Sequence, residues 1–179
     1  MFVLGHVGIG TRLLFGLRQR LPPRWLIFGC VLPDVIDKPL FYALLWARGH
    51  PDALIAGSRS VGHSGPFLLL LVLLAAVLRA PAWWAVLAGV ATHLLLDIGG
   101  ELVGGALPGS SIWIAVLFPA LGWRFPRAHF GSLLEHLRDT AENVYVVAGE
   151  VVGAAILLSA RWRRRKRAAG VDCGQIPGS

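Results

Sequence analysis

Charge is scarce in this chain. Only 15% of its 179 residues are charged and only ten are acidic, against about 25% charged in an ordinary soluble domain. Cysteine is scarcer still. Cys30 sits in an apolar run and Cys173 in a polar tail, which excludes a disulfide framework or a cysteine metal motif and leaves the redox compartment unread. No internal repeat is present. The first twenty residues lack a basic n-region and a small-residue cleavage site, so a standard signal peptide is not expected. Apolar residues are abundant instead, at 55% of the chain with a mean hydropathy of +0.64. The expectation is an all-α, polytopic helical membrane protein with short or broken apolar helices, in one domain over residues 1–160.

The net charge is +7, and the basic residues are unevenly spread. Arg161, Arg163, Arg164, Arg165, Lys166 and Arg167 form one block directly after an apolar segment. A polybasic stretch beside a membrane helix normally fixes topology on the cytoplasmic side. Residues 161–179 are therefore read as a basic cytoplasmic tail, without structure after Arg167. Its expected partners are membrane lipid and anionic lipid headgroups; nucleic acid is not expected.

Residues 1–20 read as a short amphipathic or partly buried helix stopped by Pro22 and Pro23. Residues 25–47 are apolar but contain Pro33, Asp34, Asp37, Lys38 and Pro39. They predict a break at Leu32–Pro33 and a new helix from Asp34. A polar loop over 49–63 leads into the aliphatic run Pro66–Leu78, a turn at Arg79–Pro81, and a second apolar helix ending at Gly99–Gly100. Ile112–Leu121 is apolar but only one-third to one-half of a spanning length, residues 127–142 suit a surface helix, and 143–160 form a last apolar helix interrupted by Glu150. About three to five spans are expected.

A charge inside an apolar helix is costly and marks a functional candidate. Asp34 and Asp37 share a helix face, as do His93 and Asp97. For Glu150 an ion pair or interfacial position is the preferred reading. If 63–79 and 82–98 form a hairpin about residue 80, His63 and Asp97 both lie about 25 Å from the turn. His63, His93 and Asp97 then converge at its open end. Mixed imidazole and carboxylate ligands suit zinc, manganese or iron. The competing reading makes the histidines interior side chains satisfied by hydrogen bonds. His6, a lone polar ring early in an apolar helix, needs a partner. His50, His129 and His136 lie among charged or loop residues and read as surface histidines.

Several of these segments have a family resemblance. Gly29 to Pro39, with Leu32-Pro33-Asp34 and Asp37, resembles the "LPD-x-x-D" signature of the membrane-bound metal-dependent hydrolases, inner-membrane proteins of which some are described as LexA-binding. Ser58 to Ser64 is similar to that family's "HRGxTHS" element, and Gly89 to Asp97 to its "G-x-x-[ST]-H-x-x-x-D" helix. Trp113–Pro119 and His6 also fit, so the resemblance covers residues 1–125 in order. It departs at Ser58, Ser60 and Gly62, which stand where the family has histidine, glycine and threonine. The resemblance implies a helical protein of the prokaryotic inner membrane with a divalent-metal site.

The expected function is thus a membrane-embedded metal-dependent hydrolase of a phosphoester or lipid. His6, Asp34, Asp37, His63, His93 and Asp97 are its expected metal residues, with zinc first and manganese as the alternative. Arg59 is expected to hold an anionic substrate group. The alternative is a non-catalytic scaffold or regulator with a metal-stabilised core, a reading that the Ser58 substitution supports. A transporter ranks third.

Overall fold

The computed structural model describes residues 3–14, 16, 20–50, 54–107 and 109–172, and among these every regular element is helical. The helices are α1 (Val3–Leu13), α2 (Pro23–Arg48), α3 (Gly65–Leu78), α4 (Pro81–Gly104), α5 (Ile112–Val116), α6 (Leu133–Glu142) and α7 (Val144–Asp172).

Pro23 opens α2 in the first turn, where a missing N–H leaves nothing unpaired, and Gly49 closes it with φ 70°. Between them α2 is continuous through Pro33 and Pro39, which corrects the expected break at Leu32–Pro33. An interior proline costs about 3 kcal/mol. Packing of α2 along α4 offsets that cost, because glycines let the two backbones touch. A Cβ on Gly29 would lie 2.3 Å from the Val86 carbonyl oxygen, and one on Gly89 would lie 2.5 Å from that of Leu26.

Helices α3 and α4 form the hairpin. The Ser64 hydroxyl accepts the Phe67 N–H to cap α3, Arg79 turns the chain at φ 49°, and Pro81 opens α4. Leu71 of α3 packs against Val86, Val90 and Leu94 of α4. Helix α4 also runs past Gly99 and Gly100 to Gly104. The two glycines do not stop it. They make room for Tyr145 of α7, whose hydroxyl donates to the Leu96 carbonyl at 2.8 Å.

Helix α1 lies on α7, running in the same direction. A Cβ on Gly8 would meet the Gly153 carbonyl oxygen at 2.3 Å, and one on Gly153 would meet that of Leu4 at 2.1 Å. Glu150, the charge that interrupts the last apolar segment, accepts the Leu4 and Gly5 N–H groups at 3.1 and 2.8 Å. It therefore caps α1 and meets the positive end of its dipole. Helix α7 carries the basic block as helix to Asp172, beyond the point where the sequence predicts a structureless tail. Residues 173–179, including Cys173, lie outside the described residues.

Helix α4 and residues Val144–Ala168 of α7 are each long and apolar enough to cross a membrane, while the apolar α3 has 14 residues. Helix α6 is built inside out. Leu133, Leu134 and Leu137 are 55%, 77% and 44% exposed, whereas His136, Asp139, Thr140 and Asn143 line an open cleft on the other side of the helix.

Candidate metal centre

The turn at Arg79–Pro81 brings the two ends of the α3–α4 hairpin together, and His63 Nε2 lies 3.5 Å from Asp97 Oδ2. Helix α2 adds Asp34 and α1 adds His6. The five side chains form two overlapping groups able to hold a metal ion, His6–Asp34–His93 and His63–His93–Asp97. Each histidine is at most 1% exposed.

The hydrogen bonds fix which ring nitrogen faces inward. His93 Nδ1 lies 2.8 Å from the Cys30 carbonyl, which only accepts, so Nδ1 carries the proton. His63 Nδ1 lies 2.7 Å from Asp37 Oδ2 and donates likewise. The two Nε2 atoms lie 3.1 Å apart, and with both rings neutral each presents a lone pair to the other. Two lone pairs at that distance repel unless a cation or an extra proton lies between them. His6 stacks on His93 with ring centroids 3.7 Å apart. Among the described residues neither His6 nitrogen has a hydrogen-bond partner, and an unpaired buried imidazole is costly. The reading in which these are interior histidines satisfied by hydrogen bonds does not account for His6.

The carboxylates divide their oxygens. Asp34 Oδ2 pairs with Lys38 at 2.7 Å, while Oδ1 lies 3.9 Å from His63 Nε2 and 4.0 Å from His93 Nε2. Asp97 Oδ2 lies 3.9 Å from His93 Nε2 and Oδ1 lies 3.5 Å from His6 Nε2. A tetrahedral ion with bonds of about 2.1 Å separates its ligands by about 3.4 Å, so this donor set fits a divalent ion. His93 belongs to both groups but offers one lone pair. The groups therefore describe one position or two adjacent ones, not two independent sites.

Asp37, expected among the ligands, belongs to neither group of possible ligands, and both its oxygens are engaged elsewhere. Fully buried, it accepts the N–H groups of Ser60, Gly62 and His63 and the ring proton of His63. It clamps the 60–63 loop onto α2 and orients the His63 ring. Gly62 is needed because a Cβ there would lie 2.8 Å from the Pro33 carbonyl oxygen. Burial pulls the His63 imidazole down, but its bonds to Asp37 and Asp97 outweigh this and hold it above the usual histidine value. Orienting partners of metal-bound histidines typically contribute 10–100-fold in affinity. Asp37→Asn is therefore expected to weaken zinc binding by about 10–100-fold, measured by competition with a chromophoric chelator. An affinity equal to wild type would remove the clamp.

Above the cluster lies a cleft of about 300 Å³, bordered by Asp34, Asp97 and Arg59 at its floor. Arg59 Nε lies 3.3 Å from Asp97 Oδ2 and its NH1 lies 3.8 Å from Glu101 Oε1. Its loop is pinned to the 125–128 segment by the Phe125 N–H to the Leu54 carbonyl and the Ala128 N–H to the Ala56 carbonyl. Ser58, Lys38 and Arg127 also line the cleft.

His129 and His136, which read as surface histidines, line it too. The Tyr42 hydroxyl and His136 Nδ1 share a hydrogen bond of 2.6 Å, and the His136 ring stacks on Phe130 at 4.0 Å. The missed signal is the polar stripe at 136, 140 and 143, one helical face that the outward leucines disguise. Burial, and then Lys38, lower His136 to about 4. An unfolded histidine titrates near 6.5, so the unfolded chain binds the extra proton between these values. The stability from this contact is complete above pH 6.5 and is lost as pH falls toward 4. Amide exchange across 133–142 is expected to accelerate at pH 4.5 relative to pH 7.5, and less so in His136→Phe. Equal acid sensitivity in both proteins would refute this.

No protein-family model, curated protein or solved structure matches the chain.

Proposed function

We propose that this protein is a membrane-embedded, metal-dependent hydrolase that cleaves a phosphoester, with a lipid headgroup as substrate class. The observation that carries the proposal is the convergence of two imidazole Nε2 atoms 3.1 Å apart with two carboxylates and with His6, neither of whose ring nitrogens has a hydrogen-bond partner among the described residues. His6, His63, His93, Asp34 and Asp97 would hold the ion, zinc first and manganese second, as the nitrogen-rich donor set suggests. Such an ion supplies a positive charge that polarises a phosphoryl oxygen and makes water more acidic. Arg59 would bind an anionic oxygen of the substrate, with Asp97 and Glu101 fixing its guanidinium. Lys38 and Arg127 add positive charge along the cleft, and His136 stays neutral at pH 7. The likeness to the membrane-bound metal-dependent hydrolases, read from four ordered motifs, supports the same assignment.

Membrane embedding draws on α4, α7 and the outward leucines of α6. A monomer in water would bury those leucines, because exposed apolar surface is unfavourable there. The basic block after the α7 apolar run supports a cytoplasmic C-terminus, with the bundle in a prokaryotic inner membrane as the proposed setting. Ser58, standing where the resembling family has histidine, favours a second reading: a metal-stabilised scaffold without turnover.

The deciding experiment is elemental analysis of detergent-purified protein prepared without chelators, followed by assays on p-nitrophenyl phosphate and on phospholipid vesicles. The hydrolase predicts about one or two equivalents of zinc or manganese together with turnover. Metal without turnover selects the scaffold. Protein that stays metal-free when both ions are supplied overturns both.

A further inference from the structure

A second groove lies between the end of α1, the start of α2 and the latter half of α7, with a volume of about 560 Å³. Its floor is apolar, formed by Leu26 and Ile27 of α2 and Ile156 and Leu157 of α7. Its rim is cationic, formed by Arg12, Arg163, Arg164 and Arg167. No acidic residue lines it among the described residues.

The basic block is therefore not uniform around α7. Ile156, Ala160, Arg163, Arg164 and Arg167 follow one another at helical spacing and form a single stripe into the groove. The whole block is exposed, but Arg161 and Arg165 lie off that stripe, and Lys166 sits over the Trp162 ring at 4.0 Å. Arg163 is aligned along the helix by donating to the Ser159 carbonyl and hydroxyl oxygens at 3.4 and 3.3 Å.

An apolar floor joined to an arginine rim is complementary to a molecule with an acyl chain and an anionic phosphate. Free phosphate would leave the apolar floor without a function, and nucleic acid offers no aliphatic part to fill it. The groove also sits where the apolar part of α7 gives way to charge, the level at which headgroups lie beside a spanning helix. We propose that this groove binds one anionic phospholipid, its acyl chain on Leu26, Ile27 and Ile156 and its phosphate among Arg12, Arg163, Arg164 and Arg167. The proposal rests on the membrane placement of α7 and is independent of the metal cluster.

The test is native mass spectrometry of the full chain in detergent, offered phosphatidylglycerol and phosphatidylcholine in equal amounts, with metal content measured on the same samples. One phosphatidylglycerol should be retained, favoured at least tenfold. Arg164→Gln with Arg167→Gln should cut that retention at least tenfold. Arg161→Gln with Arg165→Gln, which removes the same charge from the same block, should change it less than twofold. Ile156→Trp, which fills the groove without altering charge, should lower retention as the first pair does. Metal content should stay at the wild-type level in all three, so loss of lipid and loss of metal are read separately. Equal losses from the two arginine pairs would overturn the site in favour of a diffuse tail effect. So would unaltered retention in Ile156→Trp. Displacement of the lipid by millimolar inorganic phosphate, or by a short oligonucleotide, would overturn the lipid as its occupant.

Discussion

His93→Gln is expected to lower zinc affinity by at least about a hundredfold, and any phosphoesterase activity in proportion. The size follows from comparison: perturbing a partner that merely orients a metal-bound histidine costs about 10–100-fold, and this change removes a donor itself. Glutamine suits the test better than alanine. Its side-chain amide is long enough to keep a donor near the Cys30 carbonyl that His93 Nδ1 now occupies. It also avoids a large cavity where the His6 ring stacks. Any metal loss then reports the missing Nε2 lone pair. Asp97→Asn should behave similarly, because a neutral amide leaves the cation uncompensated while Arg59 loses its 3.3 Å partner. His129→Ala is the control: it lines the cleft but belongs to neither group of possible ligands, so metal content should hold. Zinc affinity within threefold of wild type in His93→Gln would remove His93 from the centre and leave the facing lone pairs unexplained.

Legibility from sequence followed the range of the interactions. The four-residue spacing of His93 and Asp97 is local, and a helix alone places both on one face. His63 could be added by symmetry about the 79–81 turn, because a hairpin with short connections fixes heights along its axis. Asp34 and Asp37 were legible only as a pair. Which one faces the cluster depends on where the 60–63 loop crosses α2, a tertiary fact that no spacing in α2 encodes. Glu150 shows the same limit, since the N–H groups it caps are some 146 residues away in the chain. The prolines of α2 misled because intrinsic propensity is a local rule, and the glycine contacts with α4 override it. His136 is hidden from the sequence by the direction its helix faces. A polar stripe is read as facing water, yet in α6 it faces the cleft and the leucines face outward.

Gly153→Leu should release metal although it alters no ligand. Helix α1 brings His6 to the cluster, and it is held there by contact of its backbone with that of α7. A Cβ at Gly153 would lie 2.1 Å from the Leu4 carbonyl oxygen and 2.7 Å from the Gly5 Cα. Both are backbone atoms, so no side-chain rotation relieves the clash and α1 itself has to move. Its displacement carries His6 away from Asp97 Oδ1, now 3.5 Å distant, and pulls Leu4 and Gly5 off the Glu150 carboxylate. Overpacking of this kind costs about 1–3 kcal/mol, and loss of a helix cap about 1 kcal/mol more. A lower melting temperature and at least a tenfold loss of zinc affinity are expected together. Gly153→Ala should do the same to a smaller degree. His6→Ala separates the two effects, because it should reproduce the metal loss while keeping the α1–α7 contact. Gly104→Ala is the matching control, since a Cβ there meets nothing within 4 Å. Alanine is favoured over glycine by about 1 kcal/mol within a helix, so this variant should keep both metal and melting temperature. Full zinc affinity in folded Gly153→Leu would mean that His6 is not a ligand. The centre would then shrink to His63, His93 and the two carboxylates.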